Sequence, residues 1–515
     1  MTGEIVPAPA AHIRARAVLL AGALALGLSL AGCGGGGGAD GSAGAASGTA
    51  SPPTLASMDS EHQLGIANAA SGQPLAVAGG SQTAGAAIDT EAGDGSSAQR
   101  WHLMPMGQGQ YNIENMLTHQ VLGITNAATA AGAATVQWAD NGTSDHLWSF
   151  YQLSDGNYAI ENINSGLYLQ SDASGATTQA TRDDSSRQQE WTVTVTTDPA
   201  YPPPLTVTGS GIQVHDPDMI EDPGGTFWLY GTHNTLASSP DMATFSAVSA
   251  GDISPDFAWW AGENTTGTDG RTDIWAPSVL YANGTYYQYY AIPIYDPPST
   301  VAADQSAAVI ALATSASPSG PWTDAGKVIS SCGAAPGCTT TFNAIDPAPY
   351  ADTAGNWWLA FGSWHDGIHV LQLDPSTGLP LAANPPLYDI AKRGAGEEGS
   401  FIFPYAPGGT LYYYYFASID VCCQGSNSTY RIIVGRSSSP TGPFYDRGGL
   451  DLMDGGGTIL LSTHGTVDGP GGESVLLVGS QPVLVYHYYD GANGGTPTLG
   501  LNDLEFDSAG WPAVQ

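Results

Sequence analysis

Three acids in this chain are notable for their positions. In VHDPDMI (Val214 to Ile220), NAIDPAPY (Asn343 to Tyr350) and EEGSFIF (Glu397 to Phe403), a carboxylic residue opens a short apolar strand whose other residues are suited to burial. One Asp-Pro alone ordinarily starts a turn and accepts backbone amides. Asp216, Asp346 and Glu398 share more than that, since each stands at the start of the same strand in a repeated unit. Carboxyls gathered out of bulk water raise one another's pKa, which costs stability unless the set has a use. The use open to such a set is proton transfer, with one group protonated and another ionised.

The unit that positions these acids recurs five times after the proline-rich break YPPPL at Tyr201. The copies are HDPDMIEDPGGTFWLYGTH from His215, WAPSVLYANGTYYQYYAI from Trp275, IDPAPYADTAGNWWLAFGSW from Ile345, EGSFIFPYAPGGTLYYYYFAS from Glu398 and GGESVLLVGSQPVLVYHYYD from Gly471. Each runs from an acid or small residue into an apolar strand, a glycine or polar turn, and an aromatic-rich strand. Third strands such as AAVIALATS follow in most copies. Units repeating every ~50 to 75 residues predict an all-β, five-bladed β-propeller over residues 199–515, because radial repetition leaves few exposed sheet edges. Alignment of the copies puts Asp216, Ala276, Asp346, Glu398 and about Gly472 at the mouth of the central channel.

A different repeat precedes the propeller. LGIANAASGQPLAV, YNIENMLTHQVLGI and YAIENINSGLYLQS each close on a tryptophan, Trp101, Trp148 and Trp191, and their asparagines Asn68, Asn115 and Asn162 are 47 residues apart. Three such units predict a three-fold β-trefoil over residues 58–198. The closing tryptophans read as core, and Trp138 is a weak candidate for sugar stacking. The QxW-like closures resemble ricin-type lectin domains, which implies a second glycan as a partner. In those domains an aspartate after the buried leucine of each unit usually holds the sugar. Here Ala76, Gly123 and Gln170 stand in its place, so the resemblance speaks for the fold more than for the ligand.

The first residues read as an address. Arg14 and Arg16 precede an apolar run, Ala17 to Leu30, that is too short to span a bilayer and ends in Leu30-Ala31-Gly32-Cys33. This resembles the lipobox of bacterial lipoproteins. It implies a lipoprotein signal peptide over residues 1–33, lipidation at Cys33 and a flexible Gly/Ala/Ser tether over residues 34–57. The expected localisation is that of an exported lipoprotein at the cell envelope or cell surface, with secretion as the alternative and membrane contact only through the N-terminal lipid. In an oxidising compartment Cys332 and Cys338 are expected to pair, and no cysteine spacing suits zinc. A net charge of −35 from 12 basic and 47 acidic residues leaves too few cations for a nucleic-acid partner or an anionic bilayer.

Over residues 205–515 the chain resembles glycoside hydrolase family 43, most closely its endo-1,5-α-L-arabinanases. The resemblance rests on VHDPDMI, IWAPSVLYANGTYYQYY, NAIDPAPY with the downstream GSW, EGSFIF, SIDVCCQGSNSTYRIIVGRSSSPTGPF, GGGTILL and the terminal WP. It implies Asp216 as the general base, Glu398 as the general acid with Glu397 as the competing choice, and Asp346 as the third acid. An inverting glycosidase separates its acid and base by ~6.5 to 9.5 Å to admit a water. Asp346 is expected to raise the pKa of Glu398 and so keep it protonated. Asn343 and Ser363 are expected to hydrogen-bond the furanose, while Trp275 either stacks on it or packs in the blade.

Two histidines read as supports, His215 bracing Asp216 and His487 structural. The chemistry needs no cofactor. The resemblance leaves a structural calcium open, since the family's channel histidine is replaced here by Gly472, with His464 the nearest earlier histidine. The substrate implied is arabinan of the plant cell wall. An exo-acting arabinanase, an arabinofuranosidase or a β-xylosidase are rivals within the family, and a non-catalytic glycan-binding lipoprotein is the rival outside it. Because all three acids lie in the propeller, the trefoil is expected to be dispensable for cleaving short soluble substrates.

Overall fold

Short strands separated by glycine and Asx turns leave helix to single 3-10 turns among the described residues. The computed structural model describes residues 60–249, 253, 274–293, 308–332 and 339–515. The leader, the tether, Cys33 and Cys338 with its expected bridge to Cys332 lie outside the described residues.

Residues 60–199 form the trefoil. Three antiparallel pairs close into a ring: His62–Asn68 with Trp191–Pro199, Trp101–Pro105 with Tyr111–Asn115, and Trp148–Gln152 with Tyr158–Asn162. The three tryptophans are fully buried, and each indole N–H donates to a leucine carbonyl 2.9 to 3.0 Å away, on Leu75, Leu122 and Leu169. Core is therefore their role, since a buried indole needs its N–H satisfied. The repeated asparagines bond the turn before each tryptophan, Asn68 to Gln188, Asn115 to Ala98 and Asn162 to Asp145.

The propeller follows, each blade built on a four-stranded antiparallel sheet. The innermost strands are Asp218–Glu221, Trp275–Ala282, Ala348–Ala351, Glu397–Tyr405 and Val467–Val478. The aromatic-rich second strands are buried between blades, for example Tyr289 and Tyr290, Tyr414 and Tyr415, and Tyr486. Their hydroxyls reach carbonyls of other segments, as Tyr289 does to Gly378 and Tyr414 to Gly510, both at 2.6 Å.

Trefoil and propeller fall in one compact unit and share a core. Met104 and Val121 of the trefoil join Tyr350, Tyr413, Tyr415, Ile433 and Phe444 in a single apolar cluster. Beside it, buried Glu114 binds His102, His119 and the hydroxyl of Tyr201 at 3.0, 2.8 and 2.6 Å. Burial pushes the Glu114 pKa up, but the bonds from the two histidines outweigh it and hold the group at about 2. Such a joint was not expected of a trefoil read as separable.

Candidate active site

The five innermost strands leave the channel through one residue each in left-handed backbone: Asp216 (φ 50°), Ala276 (φ 39°), Asp346 (φ 55°), Gly399 (φ 65°) and Gly472 (φ 58°). Three are non-glycine, in a conformation that costs L-residues energy and collects at functional sites. These five, with the two residues after each, line a cavity of about 40 Å³ on the axis. The alignment of sequence copies is corrected here, because Gly399 occupies the position of Asp216 and Asp346. Glu398 lies one residue earlier, level with His215, Trp275, Ile345 and Gly471. The second blade shows the same pairing shift, between Trp275 and Ser278, so the residue that matches left-handed Ala276 is left-handed Gly399 and Glu398 matches Trp275.

Above that cavity opens a cleft of about 830 Å³ lined by all three acids. Asp216 enters from the first blade. Its Oδ2 accepts the Thr232 hydroxyl at 2.5 Å, and Thr232 Oγ1 in turn accepts the Ala276 N–H at 2.9 Å. The second bond occupies a lone pair of the hydroxyl, so the Thr232 proton points to Asp216. The Asp216 N–H donates to Nδ1 of His487 at 3.1 Å, and the His215 ring lies 4.3 Å from that imidazole. His215 therefore supports the base through His487.

Glu398 enters from the fourth blade, partly exposed to the cleft. Burial raises its pKa and the charge of Asp216 adds to this, while hydrogen bonds from Tyr430 and Ser363 pull the other way. Ser363 Oγ donates to Oε2 at 2.8 Å, and the Tyr430 hydroxyl donates to Oε1. Ser363, expected to face the sugar, thus directs its proton to the acid. Glu397 is 2% exposed, accepts the Tyr415 hydroxyl at 2.7 Å and does not line the cleft, which favours Glu398 as the donor.

Asp346 accepts the Gly399 N–H at 2.9 Å. Its pKa is pushed well up by burial first and then by the charges of Glu398 and Asp216. The expected direction of tuning is thereby altered: Asp346 is itself raised, by burial first and then by its neighbours, and Glu398 is raised by burial and Asp216. Asn343 lines the cleft, buried, with Oδ1 lacking a protein partner. Trp275 lines the cleft and also packs on the core shared by the second and third blades.

Sequence reading missed Thr232, Tyr430 and the pairing of Cys422 with Cys423. The adjacent cysteines form a disulfide in the cleft wall, and the Cys423 N–H donates to the Tyr489 hydroxyl at 2.7 Å. Two neighbouring cysteines were the available signal.

For the calcium that the resemblance leaves open, the donors grouped here are His215, Asp216 and His487, one atom of each within 4.8 Å of the others. Calcium takes about six to eight oxygens, whereas two of these three donors are imidazoles and His487 already accepts the Asp216 N–H. The set does not fit calcium, and no step below passes through a metal. A Cβ on Gly472 would lie 2.7 Å from Asp216 Oδ1, so that position holds no side chain. His464 packs on Tyr201 at the trefoil joint, 5.4 Å between ring centres.

Residues 210–512 match the family model of glycosyl hydrolases family 43. Residues 56–138 and 144–211 match that of the ricin-type beta-trefoil lectin domain-like family. The extracellular endo-alpha-(1->5)-L-arabinanase 1 of Bacillus subtilis (strain 168) is 38% identical over 306 residues, covering 58% of this chain and 87% of its own. An endo-arabinanase from Bacillus licheniformis superposes with a TM-score of 0.51 at 36% identity, over 60% of this chain and 99% of that one. An exo-1,5-alpha-L-arabinanase from a bovine ruminal metagenomic library does so at 0.51 and 33%, over 59% and 95%.

Proposed function

The chain belongs to glycoside hydrolase family 43, and we propose that it hydrolyses internal α-1,5-L-arabinofuranosyl bonds of arabinan with inversion. The observation that carries the proposal is the pairing of two carboxyls in opposite settings across one cleft. Burial raises the pKa of Glu398, the direction a proton donor needs. Asp216 accepts the Thr232 hydroxyl, an acceptor role that suits a proton-accepting base. Glu398 gives its proton to the departing glycosidic oxygen while Asp216 takes one from a water attacking the opposite face of the furanose. No covalent sugar intermediate forms, and these proton transfers need no cofactor. Asp346 fixes the Gly399 amide beside the acid, and Asn343 lies in the lining of the cleft that would take the sugar.

The endo-arabinanase relatives support internal cleavage, and the exo-acting structural neighbour at similar identity keeps the exo reading as the second one. Viscosity and reducing ends measured together on linear arabinan separate the two. Early loss of viscosity with mixed short oligomers is expected, and arabinose released alone from chain ends would move the protein to the exo class. Proton NMR of the first products should give the inverted anomer. Retention would exclude this pair of roles.

Export is in keeping with the extracellular relative. Anchoring through a lipid on Cys33, with the trefoil holding a second glycan, completes the proposal. Mass spectrometry of the mature N-terminus tests the lipid.

A further inference from the structure

The second repeat of the trefoil reaches the catalytic blade. Where lectins of this type hold sugar with an aspartate, Gly123 makes room for His146, since a Cβ there would lie 2.4 Å from the imidazole Cδ2. His146 Nδ1 lies 3.1 Å from Asp140 Oδ1, which also accepts the Gly142 N–H at 3.1 Å. The other oxygen, Oδ2, accepts Nη2 of Arg431.

Arg431 is 1% exposed and directly follows Tyr430, the residue that bonds the proton donor. Its Nε donates to Asp420 Oδ2 at 2.7 Å, and Nη1 lies 3.7 Å from the sulfur of Met104 in the trefoil. The guanidinium therefore ties together both ends of the segment 420–431, which carries the disulfide wall and Tyr430. The same segment is pinned by the Asp420 N–H to Gly396 and the Thr429 N–H to Val421, at 3.1 and 2.9 Å. A guanidinium stays charged when buried, and removing one carboxylate partner leaves that charge under-compensated.

We propose that Asp140 is a positioning residue for the reaction, acting through Arg431 to hold Tyr430 against Glu398, so that the second trefoil lobe is part of the catalytic site. The proposal rests on Glu398 as the proton donor. It explains why the lobe has a filled sugar position and a buried ion pair facing the propeller.

The test compares full-length Asp140→Asn with Glu114→Gln, a second buried carboxylate at the joint whose hydrogen bonds run to His102, His119 and Tyr201 and not to segment 420–431. Both variants should lose thermal stability. Only Asp140→Asn should lose ~10- to 100-fold in kcat on short linear arabino-oligosaccharides with little change in KM, as expected of a misplaced catalytic group. Its alkaline pH limb should also move up, because a loosened Tyr430 no longer favours ionised Glu398. Hydrogen exchange of segment 420–431 should rise in Asp140→Asn alone, and that readout needs no substrate. His146→Gln, a milder loss of the brace on Asp140, should move each reading in the same direction and serves if Asp140→Asn does not fold. Wild-type pH limb and exchange in a folded Asp140 or His146 variant would overturn the proposal, as would parallel changes in Glu114→Gln. Failure of the wild type to cleave arabinan would instead overturn the proposed substrate, leaving the exchange comparison valid.

Discussion

The hydroxyl of Tyr430 donates to Oε1 of Glu398, so the proposed proton donor is held by a residue that its own blade brings back from the third strand. That bond stabilises the ionised carboxylate and opposes the burial that raises its pKa. Tyr430→Phe keeps the ring and removes the bond. Glu398 should then keep its proton to higher pH, moving the alkaline limb of kcat/KM upward, with kcat falling by ~10-fold as the donor loses its orientation. A pH-rate profile of the folded variant checks this. An unmoved limb would mean that the hydroxyl does not govern the donor.

The two proposed roles separate by leaving group. Asp216→Asn and Glu398→Gln should each lower turnover on arabinan by ~10²-fold or more. An aryl arabinofuranoside with an acidic phenol departs with little protonation, so Glu398→Gln should recover much of its rate there while Asp216→Asn should not. Equal losses on both substrates would show that the roles are assigned wrongly.

The path from sequence to site was legible where a residue and its setting lie in one short segment. Asp216 and Asp346 could be placed because each opens a repeated Asp-Pro strand, and the repeat itself gives the propeller. Glu398 was found but set one residue out of register, because the residue that matches Asp216 and Asp346 is Gly399, which has no carboxyl to align on. Thr232 is 16 residues from Asp216, and Tyr430 is 32 from Glu398. Each is an ordinary residue at the edge of a strand, and only the closed blade gives it a partner. Asp140 and Arg431 are 291 residues apart in different repeat systems. Nothing periodic links them, so the joint between the folds could not be read from either repeat.

Gly472 gives a steric prediction. Its backbone is left-handed at φ 58°, and an added Cβ would lie 2.7 Å from Asp216 Oδ1 and 2.8 Å from His487 Nδ1. Neither atom is the end of a long flexible chain. Gly472→Ala should therefore displace the base as well as strain the backbone, lowering kcat by ~10-fold or more while oligosaccharide binding changes less. Isothermal titration with a non-hydrolysed oligomer beside kinetics would distinguish the two effects. Unchanged kcat would mean that Asp216 has freedom to move without loss.

Glu473, the residue after Gly472, predicts how stability responds to pH. It is 4% exposed on the channel axis, with Oε2 accepting the Ser418 hydroxyl at 2.7 Å and Oε1 lacking a protein partner. Burial raises its pKa from 4.5 to about 8. Between those values the folded chain keeps a proton that the unfolded chain has released, so the native state binds more protons and stability falls as pH rises. The loss should begin near pH 4.5 and level off above 8, reaching roughly 5 kcal/mol from this one group. Glu473→Gln cannot ionise and should flatten the fall. Melting temperatures of both proteins between pH 5 and 9 should therefore converge at the acid end and separate at the alkaline end, with the variant the more stable. Parallel curves across that range would show that Glu473 is not the group whose ionisation destabilises the channel.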